Sequence, residues 1–211
     1  MRKTIFFAGF ILLLLFLFNI YFYFVLPNNI VINWNKFGEP NGYIEKFKGL
    51  FILPLITLII FLIFLFIPKI DPLKKNYSKF RNYYDSFILI LVIFIFYFNI
   101  LIILYNLKFF FNFVIAIIPA LSFLFIYMGI ILKNIKQNWF IGIRTPWTLS
   151  STIVWNKTHN LGSFLFIISG LISLIGILFP KKIFWFVLAP IIISVIILII
   201  YSYIEYARVK K

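Results

Sequence analysis

The chain has 211 residues, of which 64% are hydrophobic, 22% aromatic and 12% charged, whereas soluble domains run at roughly 45 to 50% apolar and 25% charged. Apolar stretches take up 124 residues, and the longest polar segment, 133–160, holds only 28, too few to bury a core of its own, so a soluble catalytic domain is excluded. Cysteine is absent and His159 is the single histidine; disulfides, thiolate sites and a histidine-rich zinc cluster fall away, and no metal or cofactor is expected.

Six apolar runs are counted at 4–26, 50–67, 86–107, 113–132, 161–179 and 183–204. Each approaches or exceeds the ~20 residues that carry a helix across about 30 Å of hydrocarbon. None alternates apolar and polar residues as a membrane β-strand does. The predicted class is therefore all-α, a polytopic membrane protein of six transmembrane helices. The first run starts after Arg2 and Lys3, but it exceeds the apolar core of a signal peptide and no small-x-small site precedes Pro27, so it reads as a retained helix. The second carries Pro54 near its start and is expected to end at Pro68.

Lysine and arginine total 14 in alternate segments beginning with the N-terminus and 6 in the others. The positive-inside rule then places both termini and the loops 68–85 and 133–160 in the cytoplasm, with 27–49 facing outward. The net charge of +15, a nucleic-acid signature in a soluble protein, reads here as topology and attraction to anionic headgroups, with no direct nucleic-acid partner.

The outward loop is rich in Trp, Phe and Tyr. Its Gly38, Pro40 and Asn41-Gly42 supply turn chemistry, and Ile30 to Trp34 suits a short extended piece. Anchoring at the interface and recognition of an external ligand are both open to it. Pro119 and Pro190 inside the fourth and sixth runs are read as kinks, the alternative being a hinge or substrate site. Ser169, Ser173 and Gly176 form a small-residue stripe for helix packing, with a ligand site as the alternative. The six runs lack ionisable side chains in their interiors, which counts against ion-coupled transport.

In the 133–160 loop, Thr145 and Pro146 match an N-cap and a first helical position. Trp147, Ser151, Trp155 and His159 then recur every four residues, which predicts a cytoplasmic amphipathic helix lying in the interface. Arg144, just before the cap, is placed to fork onto a phosphate, a carboxylate or free carbonyls. Catalysis would need more than Arg144, His159 and a few hydroxyls; no catalytic residue is assigned and the protein is not expected to be an enzyme.

The run Asn138 to Ser151, with Gly142-Ile143-Arg144-Thr145-Pro146 at its centre and Trp155, Thr158 and His159 downstream, resembles the signature of the SdpI-type immunity protein family. Pro27, Trp34-Asn35, Gly38, Pro40, Lys46, Leu53-Pro54 and Pro68-Lys69-Ile70-Asp71-Pro72 are similar to the N-terminal domain of uncharacterised function that accompanies it. Asn33 stands where the family often has histidine, and Asn41 where aspartate commonly follows the Gly-x-Pro. The resemblance implies a multi-pass protein of the prokaryotic cytoplasmic membrane, whose characterised relatives protect against a secreted peptide toxin and can hold a cytoplasmic transcriptional repressor at the bilayer.

The expectation is thus an immunity or receptor-like binding protein in the lipid bilayer. It divides into 1–85, with two helices and the outward loop, and an SdpI-like 86–211. The functional residues are expected to be Arg144, Thr145, Pro146, Trp147, Trp155 and His159 in the cytoplasmic loop and Trp34, Asn35 and Gly38 outside. A small-molecule or lipid transporter is the alternative, a membrane enzyme acting on headgroups the third reading, and the oligomeric state is left open.

Overall fold

A computed structural model describes residues 3–210; Arg2, used in the charge count, lies outside them, as does Lys211. The elements run α1 (Lys3–Tyr23), β1 (Asn29–Trp34), β2 (Pro40–Glu45), α2 (Lys46–Ile70), α3 (Arg81–Asn106), α4 (Phe113–Asn134), α5 (Pro146–Ser150), α6 (Thr152–Ile175) and α7 (Ile183–Val209). Short 3₁₀ turns precede α3 and join α6 to α7. Among the described residues, six helices are long and apolar enough to cross a membrane, as the run lengths predict. The second reaches further than expected: α2 begins at Lys46 and continues past Pro68 to Ile70.

These helices are apolar nearly all round, so packing rather than polarity marks their inner face. In α1 the buried residues are Ala8, Leu12, Leu15 and Asn19, spaced by four, three and four as one stripe of a 3.6-residue helix. Phe6, Phe10, Leu13 and Leu17 on the other sides are about half exposed, suited to lipid.

By packing the chain forms two compact units, one the chain up to Ile63 with Ile88–Leu121, the other Phe64–Phe87 with the chain from Ser122 onward. In the first, Leu12, Leu15 and Val92 make one buried cluster and Leu26, Ile30, Leu50 and Ile103 another. Asn19 and Asn99, both fully buried, exchange two amide hydrogen bonds of 3.1 Å. In the second, glycines allow α4 and α6 to meet backbone to backbone. A Cβ at Gly129 would strike the Ser163 carbonyl, and one at Gly170 the Ser122 carbonyl. The stripe Ser169, Ser173 and Gly176 faces α7, with Ser169 Oγ 3.1 Å from Ser194 Oγ and Gly176 against Phe186, so it serves packing.

Candidate functional site

In the first unit, β1 and β2 pair antiparallel around a turn of residues 35–39. Asn35 builds that turn, its Oδ1 accepting from the Phe37 and Glu39 amides at 2.9 and 3.1 Å. Gly38 has φ +83°, and Asn112 Nδ2 donates to Phe37 O at 2.8 Å where a Gly38 Cβ would intrude. The Asn41-Gly42 pair does not form the turn; both residues sit in β2, opposite a register shift around Asn33. The carboxamide of Asn106 bridges the outer edge of β1, accepting from Val31 N at 2.8 Å and donating to Val31 O at 2.9 Å. It thereby takes the place of a third strand. Trp34 stacks on Phe113 at 3.7 Å and meets Tyr105 edge-on. Phe37, Tyr43, Phe109 and Phe110 stand exposed.

In the second unit, residues 135–151, irregular up to Thr145 and helical in α5, have a backbone tied by buried side chains. Asn138, fully buried, accepts on Oδ1 from the Phe140 and Ile141 amides at 2.9 and 2.7 Å and donates from Nδ2 to Lys136 O and Ile141 O. Asp71, 1% exposed, accepts on Oδ2 from Trp139 N at 2.9 Å and from the Tyr77 hydroxyl at 3.0 Å, and on Oδ1 from Leu73 N. Gln137 donates to the Thr148 and Leu149 carbonyls. A carboxylate that accepts three hydrogen bonds stays buried at an affordable cost only because those bonds replace water.

The predicted cap is present. Thr145 is extended at φ −96° and ψ 161° and caps α5 reciprocally with Thr148, and Pro146 opens the helix. Thr145 Oγ1 also donates to Ser202 Oγ of α7 at 3.1 Å. The expected amphipathic helix through His159 is, however, not continuous. Ser151 is extended at φ −146° and ψ 122°, ending α5 after five residues and capping α6 by accepting from Val154 N. Serine and threonine side chains compete for backbone groups and favour such breaks; the run Thr148-Leu149-Ser150-Ser151-Thr152 is rich in them.

Trp155 and His159 therefore belong to the first turns of α6, both buried and stacked at 3.9 Å. Trp155 Nε1 donates to Ile135 O. His159 Nε2 accepts from Ile143 N at 3.0 Å, which puts the ring proton on Nδ1, 2.8 Å from Trp155 O. With both nitrogens on backbone groups, the ring is occupied as a strut and presents no free nitrogen to a substrate. Gly142, φ +107°, passes so close that a Cβ would fall on His159 Nε2. Trp147 lies half-buried against Tyr203.

Arg144 is the exception in this closed network. It is exposed and donates one bond, from a guanidinium nitrogen to Trp139 O at 2.9 Å, so the side chain folds back over the 139–143 turn with its remaining N–H groups outward. Below, Glu205 is buried and clamped by Lys157 at 2.6 Å and Arg208 at 2.7 Å. Asp71, Tyr77, Gln137, Thr148 and Glu205 were missed as site residues from the sequence. Asp71 had a signal in the Pro68 to Pro72 run.

Residues 134–202 match the SdpI/YfhL protein family. Residues 10–58 match a domain of unknown function, DUF1648. The C-terminal region is thus similar to the SdpI/YfhL family. It is bounded by two residues of the geometry above, Asn134 at the end of α4 and Ser202, the partner of Thr145. The chain is also 27% identical over 201 residues to the Immunity protein SdpI of Bacillus subtilis strain 168, covering 95% of this chain and 93% of that protein. No solved structure matches. The matched C-terminal region thus contains the Asn138 and Thr148 hubs, the Trp155–His159 stack and exposed Arg144, whereas Asp71 lies outside both matched regions.

Proposed function

We propose that this multi-pass membrane protein is an immunity or receptor-like protein that binds a membrane-active peptide at its outward hairpin and adjoining helix faces. Its SdpI-family loop, cytoplasmic with both termini, is then offered to a repressor protein. The similarity to an immunity protein along 95% of the chain supports this reading. The observation that carries the choice of residue is Arg144, a charge held outward at the rim of an otherwise self-satisfied network. Around it, Thr145, Pro146, Trp147, Trp155 and His159 act as its frame. Trp34, Asn35 and Gly38 hold the hairpin that displays Phe37 and Tyr43. The division at residues 85 and 86 assigns external recognition to the first part and the signalling loop to the second.

The test is survival of a peptide-sensitive strain expressing the protein under challenge with peptides secreted by related strains. Protection is expected with the native chain and strongly reduced with Arg144→Lys, because a point charge does not reproduce a planar fork. Equal protection by Arg144→Lys at equal membrane abundance would make Arg144 one more positive-inside charge and remove the loop from the functional centre. A reporter after Gly42 should read external and one after Lys75 cytoplasmic.

A further inference from the structure

The turn that carries Arg144 has a second face. Ile141, Gly142 and Ile143 form one wall of an apolar cavity of about 140 Å³, which is also lined by Phe80 and Phe87, by Ile131 of α4 and Ile135 just beyond it, and by Phe166 of α6. Apolar cavities of about this size stay dry and accept small hydrocarbon groups. The cavity lies along the last turns of α4 and the first turns of α3, just inside the spans and beside the basic segments. Arg144, next in the chain to the cavity-lining Ile143, folds its guanidinium back onto Trp139 O with donors to spare.

Charge then selects the occupant. Among the described residues of this unit, every acid is buried and bonded. Asp71 holds three donors, Asp85 pairs with Arg81 and Glu205 is clamped by Lys157 and Arg208. The exposed charges are cations, among them Lys74, Lys75, Lys79, Lys133, Lys136 and Arg144. A hydrocarbon slot at the ends of two spanning helices, next in the chain to an arginine with spare donors, matches an amphiphile with an anionic head.

We propose that Arg144 and this cavity form a site for one anionic phospholipid, with the phosphate forked by the guanidinium and acyl methylenes in the cavity. The site goes beyond peptide immunity and does not depend on it. A lipid bound there would be part of the folded loop, and its binding would stabilise the folded chain by linkage.

The full-length protein, purified in neutral detergent, is titrated with phosphatidylglycerol, with phosphatidylcholine and with soluble glycerol phosphate. Retained lipid is read by native mass spectrometry and the thermal midpoint is followed in parallel. One phosphatidylglycerol should be retained per chain and raise the midpoint by several degrees, with phosphatidylcholine and glycerol phosphate bound at least tenfold more weakly. Arg144→Gln and the cavity-filling Ile131→Trp should each weaken phosphatidylglycerol at least tenfold, while Lys75→Gln changes it less than twofold. Should Ile131→Trp fail to fold, phosphatidylglycerol with a photoreactive group on an upper acyl carbon, applied to the native chain, should label the cavity walls at Phe166 or Ile131. Equal binding of the two lipids, glycerol phosphate binding as tightly as the lipid, unchanged affinity in Arg144→Gln, or label spread over all spans would each overturn the proposal. No peptide or cell enters these measurements, so their failure is separate from failure of the immunity reading.

Discussion

The hairpin of residues 29–45 and the segment 135–151 are both short connections between membrane helices, yet they satisfy their polar groups by different routes. The hairpin closes most of its hydrogen bonds on itself, through the ladder and the Asn35 turn, and needs one outside amide, Asn106, to finish an edge. The 135–151 segment has no ladder. Its amides and carbonyls end on Asp71, Asn138, Gln137, Thr148 and His159, four of which are at most 1% exposed. A self-paired strand tolerates change at many positions, while backbone served by single buried side chains depends on each of them.

The largest expected effect follows from that contrast. Asp71→Ala would leave the Trp139 and Leu73 amides without their acceptor, at ~1 to 3 kcal/mol for each buried orphan, while the Tyr77 hydroxyl would keep Asn138 Oδ1 at 3.3 Å. Folded protein recovered from membranes should fall several-fold. Asn35→Ala frees amides in an exposed turn, where water replaces the carboxamide, and should lower the thermal midpoint in detergent by much less. Equal losses would break the comparison.

Next come the two glycines with positive φ. Gly142→Ala places a methyl on a ring nitrogen that is pinned on both sides, and about 2 to 3 kcal/mol of destabilisation is expected from backbone strain and the clash together. Gly38→Ala meets the end of the Asn112 side chain, which can turn away, so roughly 1 to 2 kcal/mol should remain, mainly strain. Thermal unfolding of the two variants in the same detergent ranks them.

A smaller effect is expected at the Asn19–Asn99 pair. Either single change to Leu orphans a buried amide and should cost ~1 kcal/mol, while the double change removes both and should recover most of the loss. The smallest effect has the opposite sign. Lys108 has φ 68°, and the bonds Lys108 N to Tyr105 O and Phe109 N to Leu104 O close a Schellman cap on α3. Lys108→Gly relieves the left-handed strain and should stabilise by about 0.5 to 1 kcal/mol; a lower midpoint would show that the lysine side chain has a role of its own.

The six spans were legible because a long uninterrupted apolar run suits little besides the interior of a bilayer, and the Thr145-Pro146 cap because its chemistry is local. The break at Ser151 was hidden. A four-residue recurrence of Trp147, Ser151, Trp155 and His159 fits one helix as well as two, and only the capping bond to Val154 separates them. Of the turn residues Gly38, Pro40 and Asn41-Gly42, Gly38 lies in the hairpin turn while Pro40 and Asn41-Gly42 sit in β2, and Asn35 closes the turn through three bonds to Phe37 and Glu39. The Pro68 to Pro72 run marks the segment of Asp71 but not its role as a hub, since its partner Trp139 is 68 residues away. Trp155 and His159 were found as notable residues, but their burial gives them a framing place rather than an exposed one.

The Asn19–Asn99 pair also bears on the order of synthesis. The two residues are 80 positions apart, so at 5 to 20 residues per second α1 exists for about 4 to 16 s before its partner is made. During that interval Asn19 must enter lipid unaccompanied, and its Nδ2 has an answer within its own helix, the bond to Leu15 O at 2.7 Å. Half of the carboxamide is thereby satisfied in advance, and its Oδ1 is left for the Asn99 amide that α3 brings.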